Sequence, residues 1–360
     1  MSDTVSQVSK IRGLRELSNL EAASKNLLDT IGLSEGLELE LESGDTFIVD
    51  KTDAKASMWK EFLDWQQKSQ LPVYVEVETQ SRIVREVFPA FRRRADHVNR
   101  EPVIGRLRIV FRESPAIFFL NPALPRFREM WTRIERAAGS TEEMLVTHHP
   151  LTFEIIDVRE APPPAPPLPP NPLAVNVAPA PAETAVTLQR ANEIFEAMAA
   201  TDIPFFHVRD CCTARAQKMC RLMLENFNVT ARKIWNYGSG FAIDKGTICV
   251  ETLFDPSGQV CWRFHVAPIV NVVDGPPDTV VIDPSIFDEP VPIETWLQVQ
   301  RDSGGTTQES TDANNFENKP NSPDDLFDPG PAAIDEKLKN HTGQSIVARN
   351  LNALVFAPPN

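Results

Sequence analysis

Two adjacent cysteines, Cys211 and Cys212, lie at the predicted start of a helix in the stretch RDCCTARAQKMCRLM, residues 209–223. Aspartate is a favoured N-cap residue because its carboxylate accepts a hydrogen bond from an unpaired amide of the first turn, so Asp210 is predicted to cap this helix. Both thiols would then lie where the helix dipole and free N–H groups favour negative charge. The sequence therefore predicts a lowered thiol pKa at this position.

Helical periodicity distinguishes the two cysteines. Cys212 shares the spacing i, i+4, i+7, i+11 with three apolar residues, Ala216, Met219 and Met223. Cys211 lies on the side that carries Arg215 and Lys218. We therefore expect Cys212 to point inward and Cys211 to lie on a more polar face. Because a buried cysteine is more often structural than reactive, a reaction at Cys212 requires a partner base.

A candidate base and a candidate acid follow along the chain. In the predicted strand CWRFHVAPIV, residues 261–270, His265 alternates with Phe264 and Val266 and therefore lies on the opposite face. A lone histidine on a strand is usually structural, but this one lies in the cysteine-bearing region. Asp283 ends the apolar stretch TVVID, and the proline after it favours an extended backbone there. Such an acid is a common turn former, and it is also the type of residue that fixes an imidazole tautomer.

Three motif blocks of this region resemble the protein-glutaminase family, bacterial enzymes that deamidate glutamine residues of proteins. The blocks are RDCCTARAQKM, WRFHVAPIV and VVIDPSIF, in the same order as the family patterns DGCxARAxKM, YHVA and IDPSLF. The resemblance covers residues 186–300 and implies a papain-like or transglutaminase-like core, in which a cysteine-bearing helix packs on an antiparallel sheet. Position by position, it assigns Cys212 as the nucleophile, His265 as the general base and acid, and Asp283 as the acid that orients His265.

Two positions depart from the family pattern. Cys211 stands where the family has glycine, and Gln217 stands where it usually has histidine. Family members are typically secreted with a pro-region. The N-terminal stretch here has no apolar segment of the kind found in a Sec signal, so the compartment expected is the cytoplasm, or the exterior through a route without such a signal.

The resemblance implies hydrolysis of a glutamine side chain to glutamate, with release of ammonia through an acyl-thioester on Cys212. The Cys212 backbone N–H is the expected first donor to the oxyanion, and the sequence offers no candidate for the second. A cysteine protease or a transglutaminase would use the same three residues, and an inactive interaction module would keep them as a relic. These alternatives stay open. No cofactor is expected, and no metal site is expected either, because there is no C-x-x-C spacing and His148 and His149 have no acidic neighbour in ligand spacing.

Composition divides the chain into segments of different character, with an α+β fold class expected overall. An N-terminal α+β domain is predicted over 1–160, in which LELELESGDTFIVD indicates a hairpin that turns at Ser43-Gly44-Asp45. Ten prolines predict a semi-rigid linker over 161–183, and the catalytic domain follows over 184–300. The segment 301–330 has seven acidic and two basic residues and few apolar ones, so it is predicted to be disordered, with a C-terminal tail over 331–360.

Charge and cysteine content bear on partners and compartment. A net charge of -14 argues against general nucleic-acid binding, and no apolar run is long enough to cross a membrane. Nine arginines against three acids between residues 81 and 112 form either a solvated face or a face for a partner, including an acidic segment of the same chain. All five cysteines lie between Cys211 and Cys261, which favours reduced thiols. The substrate expected is a glutamine-containing protein.

The spacer also suggests a role for the N-terminal domain. Because a semi-rigid linker tethers it to the catalytic domain, we expect this domain to cover or to position the catalytic cleft.

Overall fold

The computed structural model describes most of the chain, over residues 4–17, 36–50, 54–103, 105–112, 114–162, 184–206, 209–238, 248–252, 258–302, 306–312 and 330–355. Helices and mainly antiparallel sheets occupy these ranges, so the predicted α+β fold class is confirmed. Most of the predicted Pro-rich linker lies outside the described residues, which stop at residue 162 and resume at residue 184.

The N-terminal region contains strands β1 to β10 and helices α1 and α2. The strands are Thr4–Leu17, Gly36–Leu41, Thr46–Asp50, Pro72–Glu78, Val84–Arg93, Ala95–Val103, Arg106–Phe111, Phe118–Leu120, Met144–His148 and Ile155–Glu160. The helices are Ala54–Ser69 for α1 and Phe127–Ala137 for α2. Seven strands form one sheet in the order β10-β9-β5-β4-β1-β2-β3, and β6, β7 and β8 form a second.

Alternation of apolar residues explains how this region buries its core. Strands β2 and β3 pair as the predicted hairpin, and Gly44 in the turn has a φ of 90°, which glycine adopts without steric cost. Helix α1 packs the buried side chains of Trp59, Phe62 and Leu63 onto this sheet. Helix α2 buries Met130 and Ile134 against the second sheet. Each sheet is therefore covered on one face by a helix.

The C-terminal region contains strands β11 to β19 and helices α3 to α6. The strands are Ala185–Val186, Arg232–Gly238, Ile248–Glu251, Gln259–Trp262, Phe264–Val272, Thr279–Val281, Val291–Pro292, Arg301–Asp302 and Thr306–Asp312. The helices are Leu188–Ala199, Cys212–Phe227, Ile293–Val299 and Pro331–Val355. The main sheet has the order β17-β16-β15-β12-β19, with β11 parallel to β15. A smaller sheet has the order β14-β13-β18.

Helix α4 lies against strand β15. Cys212 and Ala216 of the helix pack with Phe264 and Val266 of the strand. Met219 and Met223, one and two turns further on, belong to a second cluster shared with helix α3. The expected core, a cysteine-bearing helix packed on an antiparallel sheet, is therefore confirmed.

The prediction of disorder over 301–330 is wrong for the part that the structure describes. Strand β18 pairs with β13, and β19 pairs with β12 over seven consecutive residues. Backbone hydrogen bonds hold such an edge strand in place, so a segment poor in apolar side chains can still join a sheet. Residues 313–329 lie outside the described residues.

The predicted C-terminal tail is largely a long helix, α6, that contacts both regions. Ile334 and Leu338 are part of the C-terminal core, whereas Val347 is part of the core beneath the N-terminal sheet. Lys218 of α4 pairs with Asp335 at 2.9 Å, and the Trp65 indole of α1 donates to the Lys339 carbonyl oxygen at 2.9 Å. This helix therefore joins the cysteine-bearing helix α4 to the N-terminal sheet.

A disulfide joins Cys249 to Cys261, which are directly opposite each other on strands β13 and β14. Cys261 is exposed at the surface of this hairpin. The expectation of reduced thiols is therefore wrong for these two residues, because pairing in the fold brings their Cα atoms to 4.1 Å. Cys211, Cys212 and Cys220 form no disulfide and are buried.

Most arginines of the basic stretch 81–112 have acidic partners within the chain. These pairs are Arg82–Asp45, Arg85–Glu78, Arg92–Glu143, Arg93–Asp210, Arg106–Glu154 and Arg112–Asp96. Acidic segments of the same chain therefore neutralise much of this face. A separate partner for it stays a prediction.

None of the helices in the described ranges combines the length and the hydropathy needed to cross a membrane.

Candidate active site

The start of helix α4 has an unusual backbone. The helix begins at Cys212, and Cys211 before it lies in the left-handed region, with a φ of 74° and a ψ of 10°. The prediction that Asp210 caps the helix is wrong: no side chain caps it, and Asp210 Oδ1 instead accepts a hydrogen bond from the Cys211 N–H at 2.7 Å. Glycine adopts this backbone conformation most readily, which gives a physical reason for the glycine in the family pattern.

Asp210 is the centre of a buried cluster that draws on both regions of the chain. Its Oδ2 accepts a hydrogen bond from Arg93 Nη2 of strand β5 at 2.7 Å, and both side chains are almost fully buried. His341 Nε2 of helix α6 lies 3.8 Å from the same oxygen. The Asp210 carbonyl oxygen accepts a hydrogen bond from Arg215 at 2.9 Å. The residue that precedes the two cysteines is thus held by the N-terminal sheet, by its own helix and by the C-terminal helix.

Both cysteines at the helix start are shielded from solvent. Cys212 is 1% exposed, as its inward face predicts, and Cys211, which the sequence predicts on a more polar face, is also buried, at 2% exposed. Cys211 is buried because Phe91 and Arg93 of β5 and Asn340 of α6 lie around the same small cavity, of about 100 Å³.

Burial dominates the titration of both thiols. Desolvation raises the pKa of Cys211 to about 12, and it raises the pKa of Cys212 far above its ordinary value. The charge of Arg215 and a backbone hydrogen bond from Val266 act in the opposite direction on Cys212, but they do not compensate for burial. The predicted lowering of the thiol pKa is therefore wrong for this closed arrangement, because loss of water outweighs the helix terminus.

His265 and Asp283 form a buried pair. The imidazole Nε2 lies 2.8 Å from Asp283 Oδ2. Burial alone would raise the pKa of Asp283, but the electrostatic interaction with His265 and hydrogen bonds from His265, Ser285 and Trp296 outweigh it and hold the pKa at about 2. Asp283 is therefore a carboxylate at neutral pH. Because Asp283 binds Nε2, the other ring nitrogen, Nδ1, is left without a hydrogen-bond partner among the described residues.

Cys212 packs with Phe264 and Val266, the two residues that flank His265 on strand β15. His265 Nδ1 is buried and has no hydrogen-bond partner within the described part of the chain. The structure thus brings His265 to Asp283 and places Cys212 beside the same strand, with the imidazole nitrogen that faces away from Asp283 unused.

Two tryptophans enclose His265, and sequence reasoning did not find either. The Trp262 ring stacks on the imidazole with centroids 4.6 Å apart, and the Trp296 ring stacks with centroids 5.6 Å apart. The serine of the IDPS motif, Ser285, donates to Asp283 Oδ1. Because Ser285 belongs to the same motif as Asp283, the sequence could have identified it as a neighbour of the acid. Trp296 carries none, because it lies in helix α5 and reaches the acid only through the fold.

Gln217, the other departure from the family pattern, forms a buried hydrogen bond. Gln217 is 2% exposed, and its Oε1 accepts a hydrogen bond from Lys233 of strand β12, which is 1% exposed. A buried ammonium requires such an acceptor, so the glutamine supports a lysine that the neighbouring strand carries.

Residues of the N-terminal region lie against the strand that carries His265. The Arg263 backbone N–H donates to the Pro115 carbonyl oxygen at 3.0 Å. Its guanidinium donates to the carbonyl oxygens of Ser114 at 2.6 Å and Phe111 at 3.3 Å. Burial lowers the pKa of Arg263 to about 10, and the Cys212 thiol is one of the groups close enough to affect it. The segment around Ser114 therefore contacts Arg263, the residue that precedes strand β15.

The sequence pattern argues against His148 as a metal ligand. In the structure its side chain is fully buried among the rings of Phe91, Phe118 and Phe153. Within the described ranges, no group of three His, Cys, Asp or Glu side chains is arranged to hold a metal ion.

Residues 191–300 match a family model described as glutaminase. No curated protein matches the chain significantly. A crystal structure of pro-protein-glutaminase is similar at 19% identity, with 67% of this chain and 88% of that chain covered and a TM-score of 0.46. The NMR structure of protein-glutaminase from Chryseobacterium proteolyticum is similar at 23% identity, with 41% of this chain and 82% of that chain covered and a TM-score of 0.33.

The family match agrees with the three motif blocks, which all lie within the matched residues. Structural similarity at these scores is weak, so the resemblance rests on the sequence match. The match confirms the resemblance to the protein-glutaminase family over residues 191–300, and with it the predicted enzyme class, a glutaminase.

Proposed function

We propose that this chain deamidates glutamine residues of proteins through a thioester on Cys212. The observation that carries the proposal is the buried His265–Asp283 pair, whose Nδ1 has no hydrogen-bond partner among the described residues and whose strand packs against Cys212 through Phe264 and Val266. A nucleophile, a base and an acid that orients the base are the groups that acyl transfer from an amide requires.

In the first half of the reaction, His265 Nδ1 takes the thiol proton while the Cys212 sulfur attacks the side-chain amide carbon of glutamine. The tetrahedral oxyanion accepts a hydrogen bond from the Cys212 backbone N–H at the helix start. His265 then returns the proton to the departing nitrogen, so that ammonia leaves and a thioester remains.

In the second half, His265 takes a proton from water, and the oxygen of that water attacks the thioester carbon. The carbon–sulfur bond breaks, glutamate is released and the proton returns to the thiolate. Asp283 holds the Nε2–H tautomer of His265 throughout, which keeps the Nδ1 lone pair available. The target gains one negative charge at the modified position.

The product distinguishes this reaction from its alternatives. With a glutamine-rich protein as substrate, we expect ammonia release and the appearance of glutamate, without new peptide termini. Peptide fragments without ammonia would indicate a cysteine protease, and incorporation of an added primary amine would indicate a transglutaminase. Absence of all three products would favour an inactive interaction module.

We also propose that the N-terminal domain covers the catalytic cleft in the closed chain. Three carbonyl oxygens of that domain engage Arg263, two residues before His265, and Cys212 is buried with a raised pKa. A buried, protonated thiol is a poor nucleophile, so catalysis requires the covering segment to move.

The disulfide supports a location outside the reducing cytoplasm. Disulfides persist in oxidising compartments, and Cys261 is exposed to any reductant present. We therefore favour export over retention in the cytoplasm. Detection of the linked Cys249–Cys261 peptide in protein from its native compartment would support this, and two free thiols there would count against it.

A further inference from the structure

The two oxygens of Asp283 accept hydrogen bonds from different donors. Oδ1 accepts from the Ser285 backbone N–H at 3.3 Å and from the Ser285 hydroxyl. Oδ2 accepts from His265 Nε2 at 2.8 Å and from Trp296 Nε1 at 2.9 Å. Trp296 therefore binds the same oxygen that orients the imidazole, whereas Ser285 binds the other one.

Trp296 also contacts the imidazole directly. Its ring lies 5.6 Å from the His265 ring, centroid to centroid, with 25° between the planes. The donor that fixes the acid and the surface on which the base rests thus belong to one rigid side chain. Any tilt of the indole would move both contacts together.

The surroundings of Trp296 fix its position. The side chain is fully buried in a cluster with Ile234, Ala267 and Val281 of the main sheet. Gln300 Nε2 donates to the Trp296 carbonyl oxygen at 2.9 Å, and Asn236 of strand β12 donates to Gln300 Oε1 at 3.1 Å. A donor held this way on both side chain and backbone is preorganised, so it need not be ordered during the reaction.

We propose that Trp296 is a positioning residue for His265. Its indole N–H holds Asp283 Oδ2 in the position that accepts the Nε2 proton, so the imidazole keeps the Nε2–H tautomer and turns its Nδ1 lone pair outward from the acid. This role deepens the proposed function and rests on it, since it concerns the base of the same site. Without the indole donor, Asp283 can rotate about its side-chain bond and share the imidazole proton less selectively.

The physical expectation concerns tautomer and turnover, not substrate binding. A general base in the wrong tautomer cannot accept the thiol proton, so kcat falls while ground-state contacts persist. We expect Trp296→Phe to lower kcat about tenfold and to leave KM within about twofold. Ser285→Ala is the matched control, because it also removes a neutral side-chain donor from Asp283, but at the oxygen that His265 does not use.

The test measures nitrogen chemical shifts of histidine-labelled full-length protein by NMR, with ammonia release measured on the same samples. We expect one Nε2–H tautomer of His265 in the parent protein and in Ser285→Ala, and a mixture of tautomers with reduced kcat in Trp296→Phe. A single tautomer and the parent kcat in Trp296→Phe would overturn the proposal, as would an equal tautomer change in Ser285→Ala.

A second variant separates the loss of the N–H donor from the loss of ring packing. Benzothienylalanine at position 296 keeps the size and shape of the bicyclic ring and replaces only the N–H with sulfur, so it is expected to reproduce the tautomer mixture. The parent tautomer in this variant would likewise overturn the proposal. The tautomer does not depend on the reaction, so an inactive parent protein with the expected tautomer change would contradict the proposed function alone.

Discussion

At the residue scale, the site depends on how a buried carboxylate is held. Asp283 accepts hydrogen bonds from His265, Ser285 and Trp296, and these outweigh the burial that would otherwise favour the neutral acid. Motif spacing predicts the pair formed by His265 and Asp283, because both lie within short recognisable blocks. It does not predict Trp296, since contact between an indole and an acid in another element depends on tertiary packing.

The lowered pKa of Asp283 predicts a dependence of stability on pH. Its pKa falls from an ordinary 3.8 to about 2 in the folded chain, so the carboxylate stabilises the fold above pH 3.8 and this contribution is lost as the pH falls towards 2. We expect a loss on the order of 2 kcal/mol across this window. Urea unfolding at several acidic pH values measures it. Asp283→Asn should lack this component, and an identical pH dependence in both proteins would contradict the prediction.

At the element scale, helix α4 begins after a residue in the left-handed region. Sequence periodicity predicts the helix and its inward face correctly, but it places the start one residue early and assigns the cap to Asp210. The left-handed backbone at Cys211 and the hydrogen bond from Arg93 to Asp210 depend on contacts outside the helix. The periodicity of the helical residues carries no information about such contacts.

Substitutions at Cys211 test this backbone conformation. Cys211→Gly relieves the left-handed strain and loses a small buried side chain, so we expect the free energy of unfolding to stay within about 1 kcal/mol of the parent. Cys211→Val puts a branched side chain into the same conformation and should destabilise the chain by about 2 kcal/mol or more. Denaturant unfolding of both variants measures the difference. Equal stability of the two would show that Cys211 is not held in the left-handed region.

At the scale of the whole molecule, the N-terminal sheet, the start of helix α4 and helix α6 meet at the buried side chain of Asp210. Composition and strand patterns predict the α+β class and the hairpin at Gly44, and the family resemblance implies the cysteine helix on its sheet. They do not predict that α6 spans both cores or that polar strand β19 joins the main sheet. Long-range packing and backbone pairing determine those features, and neither produces a recognisable pattern in the local sequence.

The Arg93–Asp210 pair tests whether this meeting point keeps the site closed. Breaking a buried ion pair costs about 3–5 kcal/mol, so Arg93→Ala should weaken the contact between the regions and raise the rate of Cys212 alkylation by iodoacetamide at least about tenfold. Arg92→Ala is the matched control, because its pair with Glu143 is partly exposed and such pairs contribute little.

Equal alkylation rates in the parent protein, Arg93→Ala and Arg92→Ala would contradict closure through this pair. Mapping of the alkylated peptide separates Cys212 from Cys211, and circular dichroism confirms that the variants keep their secondary structure.

The most direct test of the central claim is ammonia release from a glutamine-rich protein by the full chain and two serine variants. Cys212 packs beside the strand of His265, whereas Cys211 faces the cavity between strand β5 and helix α6. We predict that Cys212→Ser abolishes ammonia release and that Cys211→Ser retains it. Ammonia release by Cys212→Ser at the parent rate would contradict the account.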